Sequence, residues 1–263
     1  MFTDRDGKFQ LLSLAESGFD PLARSAQFML TEEAHHLFVG ETGIDRIVQR
    51  SAEVARTDPN GEAFRHGAID LPVIQRYLNL WFSSCLDLFG GEVSSNAATY
   101  FANGLKGRPH EARFPNHVEH NEVRTLELAQ DDHLVTREVA ARLAVNEDTR
   151  DAYIQDCDRA VGRWNRTLRN AGVSYELRLP NRRFNRRIGE HSDTFFDPDG
   201  QPITAEQFTR SMDQWLPSAA DRVAVRALQT RAVTTPGQFA SWIAPPLRGI
   251  DGRPMDFQYV RFD

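Results

Sequence analysis

"FMLTEEAHHLFVG", residues 28–40, reads as a buried apolar helix interrupted by two glutamates, an alanine and two histidines. Burying such groups without partners costs several kcal/mol, roughly 2–7 for each neutral polar group and more for a charge. Glu-x-x-His places a carboxylate and an imidazole on one helix face, where both reach a single metal ion. The stretch holds two overlapping copies, Glu32 with His35 and Glu33 with His36. At about 100° per residue, Leu22, Ala26, Met29, Leu37, Gly40, Ile44 and Ile47 lie on the side of Glu33 and His36. Ser25, Phe28, Val39, Thr42 and Arg46 lie with Glu32 and His35. The periodicity therefore selects Glu33 and His36 as the inward pair.

The flanking sequence supplies a hairpin. Residues 2–16 (FTDRDGKFQLLSLAE) form a helix, Gly18-Phe19-Asp20-Pro21 a stop and a restart, and a longer helix runs from 21 to about 56. If the two helices pack antiparallel, the residue level with Glu33 lies as far before the turn as Glu33 lies after it, roughly 20 Å at 1.5 Å per residue. Asp4 fits, and Asp6 fits within one helical turn. A carboxylate on one helix and Glu-x-x-His on the next are half of the ligand set of di-iron carboxylate proteins built on a ferritin-like four-helix bundle. Outside this stretch no other Glu-x-x-His or Asp-x-x-His occurs in the 263 residues. Two carboxylates and one imidazole, with no thiolate, suit iron.

Outward from this hairpin the chain remains mainly helical. Asp70-Leu71-Pro72 opens "VIQRYLNLWFSSCLDLF", which breaks at Gly90-Gly91 and resumes in "SSNAATYFANGL", residues 94–105. Residues 106–133 read as irregular surface, 147–171 as an amphipathic helix, and "SYELRLP" (174–180) as a short strand. Helices near 204–214 and 219–231 and a terminal strand in "DFQYVRF" complete the expectation. Residues 1–105 form the half-bundle with the metal half-site, and 106–263 pack further helices and irregular chain with short strands on the same domain.

Charge and hydropathy exclude several classes. A net charge of −6 argues against broad nucleic-acid or anionic-membrane binding. No apolar run approaches the roughly 20 residues needed to span a bilayer, and the N-terminus lacks a signal-peptide pattern, so a cytoplasmic location is expected. Cys85 and Cys157 form no CxxC and read as reduced, buried thiols. Trp81, Phe82, Phe89, Tyr100 and Phe101 read first as core. "HEARFPNHVEHNE" (110–122) gathers three histidines at spacings that match no standard metal motif.

"FTDRDGKFQLLSLAESGFDPLARSAQFMLTEEAHHLFVGETG", "NRRFNRRIGEHSDTFFDPDG" and "FASWIAPPLRGIDGRPMDFQYVRFD" together resemble the oxygenase components of benzoyl-CoA 2,3-epoxidases, di-iron enzymes of aerobic benzoate degradation. The resemblance implies two irons per complete protein, dioxygen as co-substrate, and electrons from an NADPH-dependent reductase component for epoxidation of the benzoyl-CoA ring. It assigns Asp4 as a terminal or bridging ligand, Glu33 as a bridging carboxylate and His36 as a terminal ligand. Members of that family are longer at the N-terminus, where they carry a further Glu and Glu-x-x-His, so this chain is expected to be a C-terminal portion, inactive alone. "NRRFNRR" offers Arg182, Arg183, Arg186 and Arg187 to the phosphates of coenzyme A, with an ion-paired surface run as the other reading. From a different class, the chain could serve as a non-catalytic acyl-CoA-binding or interaction module, with Glu33 and His36 as core polar groups.

Overall fold

The computed structural model describes residues 1–58, 62–108, 122–130 and 133–233. Among them the chain is mainly helical, as its sequence predicts. Helix α1 (Phe2–Ala15) and the 38-residue α2 (Asp20–Thr57) form the expected hairpin, with Pro21 in the first turn of α2 where a missing N–H costs nothing. Helices α3 (Leu71–Leu86), α4 (Ser95–Ala102) and α5 (Val145–Asn170) follow, with α6 (Ala205–Trp215) and α7 (Ala219–Val233) after them. Ser94 caps α4 by accepting from the Ala97 N–H (3.1 Å), and Thr204 and Gln207 close a capping box on α6. No helix of the described residues is long and apolar enough to cross a membrane.

One core joins both parts of the chain. Phe2 and Phe9 of α1, Val48 and Ala52 of α2, Leu78, Phe82 and Leu86 of α3, and Tyr153, Ala160, Trp164 and Leu168 of α5 are packed together. Phe2 stands edge-on to Phe82 and Trp164, with ring centroids 6.2 and 6.4 Å apart. Cys85 and Cys157 are free thiols in this core, and burial pushes Cys85 up to about 11 and Cys157 higher still, so both stay protonated. Phe89 and Phe101 are buried as expected, whereas Trp81 and Tyr100 are exposed.

Three expectations are corrected. Residues 106–133 are not irregular throughout: β1 (Val123–Gln130) and β2 (His133–Ala140) pair antiparallel with Val123 opposite Ala140 and Gln130 opposite His133. Their alternation buries Leu126, Leu128 and Val139 over a small cluster with Ala144, the period-2 signal that marks such strands. Two-residue strands β3 (Phe195–Phe196) and β4 (Pro202–Ile203) form a second ladder. "SYELRLP" is extended but belongs to no sheet. Asn165 bonds both the N–H and the C=O of Leu177 (2.9 and 2.8 Å), and Gln75 does the same for Arg178 (2.9 and 2.7 Å), so two helix-borne amides stand where a neighbouring strand would. The expected strand in "DFQYVRF" lies outside the described residues, as does "HEARFPNHVEHN", residues 110–121.

The third correction concerns the opening stretch. The N-terminal half of α2 is largely exposed, with Phe28 and Phe38 73 % and 68 % exposed. Apolar side chains there do not mark a helix buried all round.

Candidate metal centre

Antiparallel packing of α1 on α2 brings Asp4, Glu33 and His36 together: one ligand atom from each lies within 4.8 Å of the others. The equal distances of Asp4 and Glu33 from the turn at residues 17–19 produce this match, and Gly7 faces Glu33, where a Cβ would stand at ordinary contact distance, 3.5 Å from Oε1. Asp6 is turned elsewhere. It is buried against Gln10 and Lys106, and burial pushes its carboxyl up to about 6 despite those two neighbours.

The three side chains differ in environment. Glu33 is 19 % exposed, and its Oε2 is buried with no hydrogen-bond partner. His36 Nδ1 lies 3.8 Å from that oxygen, too far for a hydrogen bond. The inward pair therefore splits: Glu33 is enclosed, and the His36 ring stands at the rim, 54 % exposed. Asp4 Oδ2 accepts from the Met1 ammonium at 2.7 Å, which holds its carboxyl below the usual range, and His36 pulls in the same direction. Glu32 and His35 lie on the exposed side of α2. An orphaned carboxylate oxygen beside a second carboxylate and an imidazole is a donor set that a hard divalent cation would satisfy.

Behind the cluster is an ion network that nothing local in the sequence signals. Arg5, beside Asp4 in the chain but on another face of α1, is buried. Its Nη1 donates to Asp156 Oδ2 (2.5 Å) and Asp156 O (3.1 Å), and its Nη2 to Glu41 Oε2 (2.8 Å). Glu41 also accepts from Arg163, and Asp156 from Lys8 (3.1 Å) and Arg159 (2.7 Å). Burial alone would raise both carboxyls, but Arg163 and Arg5 at Glu41, and Arg159, Arg5 and Lys8 at Asp156, bring them below their usual values. Three helices are thereby tied at the level of the site.

The arginines of "NRRFNRR" divide. Arg182 is held by Asp151 and Glu147 (2.6 Å each), Arg183 by Glu127, and Arg186, fully buried, by Asp87 (2.6 Å) and Glu92 (2.8 Å). Glu92 also faces the buried Arg150, which burial pulls down to about 9. Arg187 is exposed, and among the described residues its guanidinium has no ion pair. A cavity of about 450 Å³ beside Arg182 is lined by Asp151, Asp158 and Asp199, so its charge is predominantly negative.

Fold and site define a mainly helical protein whose first hairpin brings two carboxylates and an imidazole within 4.8 Å of one another. No protein-family model matches the chain. Over 266 aligned residues, 99 % of this chain, it is 48 % identical to "Benzoyl-CoA oxygenase component B" of Aromatoleum evansii. The resemblance read from the sequence thus extends along the whole chain. The match covers 56 % of that protein, so the chain spans about half the length of the curated relative.

Proposed function

We propose that the chain is part of a ferritin-like, di-iron oxygenase component that epoxidises the ring of benzoyl-CoA, with electrons delivered from NADPH by a reductase component. The observation that carries this reading is the Asp4–Glu33–His36 cluster with its orphaned Glu33 oxygen, in a chain 48 % identical to a benzoyl-CoA oxygenase component. Asp4, Glu33 and His36 would hold iron, and the bound metal would supply activation of dioxygen for oxygen transfer to the ring. Three protein ligands are half of a di-iron carboxylate set. We assign the other half to polypeptide beyond these 263 residues, which would leave this chain inactive alone.

The chain's own residues contribute position. Glu33 enters the site nearly enclosed, with its unpartnered oxygen toward Asp4 and His36. The salt-bridged Arg5 fixes α1, and with it Asp4, against α2 and α5. Of the four arginines expected to meet coenzyme A phosphates, Arg187 alone retains a guanidinium free of ion pairs among the described residues, and we assign it that contact.

Anaerobic Fe(II) titration with Mössbauer spectroscopy, on the protein completed to the relative's length, tests the reading. Wild-type protein should bind two irons per chain and turn over benzoyl-CoA, and Glu33→Ala and His36→Ala should each lose the di-iron signal. Retention of both signal and activity would remove these residues from the site, whereas a wild-type protein that binds no iron and turns over no benzoyl-CoA would favour the non-catalytic acyl-CoA-binding module.

A further inference from the structure

The C-terminal half of α5 carries a charge pattern that neither the core nor the metal cluster requires. Residues 158–170 contain Arg159, Arg163, Arg166 and Arg169 against the single acid Asp158, in a chain of net charge −6. At 100° per residue the four arginines fall within about 120° of arc, and they extend over about 15 Å of helix. All four are exposed.

Their charge is not cancelled from beneath. Glu41 is shared by Arg163 and Arg5, and Asp156 by Arg159, Lys8 and Arg5, so two carboxylates serve four cations. The neighbouring acid Asp45 is engaged by the Thr167 hydroxyl at 2.6 Å. Arg166 and Arg169 have no ion pair among the described residues. A helix end favours cations within its last turn, but Arg159 and Arg163 lie well before it.

The shape of this surface selects the occupant. These arginines stand on the outer face of one helix rather than around a cavity, which suits a protein surface better than a small phosphorylated ligand. Nucleic acid would meet the repulsion of a chain acidic overall. The patch also begins close to the metal cluster: Arg163 grips Glu41, five residues beyond His36 and about 8 Å further along α2.

We propose that Arg159, Arg163, Arg166 and Arg169 form the docking face for an acidic patch on the electron-donating protein partner. This rests on the multicomponent oxygenase reading above. Opposite charges steer such encounters, raising the association rate in a salt-dependent way.

The test uses the NADPH-dependent reductase component as probe and the double variant Arg166→Glu/Arg169→Glu, which touches neither a metal ligand nor a described ion pair. Wild-type association, followed by stopped flow, should slow at least tenfold between about 50 and 500 mM NaCl. At 50 mM NaCl the variant should associate at least tenfold more slowly than wild type, with the difference vanishing at 500 mM. Iron content and reduction by dithionite should be unchanged. A variant with wild-type association and salt dependence overturns the proposal, as does a wild-type protein that does not associate with the reductase. Loss of coenzyme A affinity with reductase association intact overturns it too, reassigning the stripe to phosphate. The two readings fail separately: normal iron binding without any charge effect at the stripe sinks this proposal alone, and salt-dependent association by a protein that holds no iron sinks the metal reading alone.

Discussion

Replacing Arg5 by Met should cost more than any other single change in the ion network behind the metal cluster. The guanidinium is 3 % exposed and makes three charge-assisted hydrogen bonds, two to Asp156 and one to Glu41. Breaking a buried pair by removing one partner typically costs about 3–5 kcal/mol. Here neither carboxylate is abandoned, since Asp156 keeps Lys8 and Arg159 and Glu41 keeps Arg163, so the lower end applies, about 3 kcal/mol. For a chain of this length that lowers the melting temperature by roughly 6–12 °C. Lys8→Met, which removes a partly exposed donor from the shared Asp156, should cost under about 1 kcal/mol.

The pH dependence gives a second handle. Glu41 and Asp156 are both held below their ordinary values in the folded protein. A depressed carboxyl contributes stability above its unfolded pKa, about 4, and loses that contribution as pH falls through the folded value. The gap between wild type and Arg5→Met should therefore be full at pH 7 and narrow below about pH 4. Urea unfolding followed by circular dichroism from pH 7 to pH 3 measures it. A loss below 1 kcal/mol at pH 7, or a gap that stays constant into acid, would refute the assignment of Arg5 as a clamp.

Other outcomes follow from the same kind of bookkeeping. Asp6→Asn should stabilise the protein by about 1–2 kcal/mol at pH 8, because burial raises the folded carboxyl to about 6 and its cost builds as pH rises from the unfolded value, about 4, to that one; below about pH 4 the benefit should vanish in the same urea assay. Asn165→Ala strips both hydrogen bonds from the buried Leu177 backbone and should cost about 2–4 kcal/mol by thermal unfolding, more than Gln75→Ala at the exposed Arg178. Gly189→Ala should lower the melting temperature by several degrees, since residue 189 has φ +89° and an added Cβ would stand 2.1 Å from Glu92 Oε2.

Local signals explain which parts of the structure were legible. The α1–α2 hairpin follows from Gly18 and Pro21, and Asp4 meets Glu33 because both are fixed distances from that turn on rigid helices. What was missed depends on contacts remote in sequence. Arg186 finds Asp87 and Glu92 about a hundred residues away, and Arg5 finds Asp156 across 151, so no spacing rule reveals that these arginines are buried. "SYELRLP" has the alternation of a strand, but period 2 reports only an extended chain with one face buried, not what satisfies its backbone. The β1–β2 hairpin was legible in "TLELAQDDHLVTREV" and was masked by the glycines, prolines and histidines preceding it.

The exposure of α2 is the reverse case, where a correct period accompanies an incorrect inference about burial. Periodicity reports which residues share a face, and it placed Glu33, His36 and Met29 together. It does not say whether anything covers that face. In the structure α1 covers only part of it: Glu33 is enclosed, His36 stands at the rim, and Met29 is half exposed. A carboxylate oxygen left unpartnered next to uncovered apolar side chains is a costly arrangement unless some further group satisfies it. The proposed metal, with the additional ligands that a di-iron centre requires, would satisfy the oxygen and cover the face together. Measuring solvent exchange along residues 28–39 before and after iron loading of the completed protein would test that coupling: protection should rise with the metal, and unchanged exchange would separate the apolar face from the metal cluster.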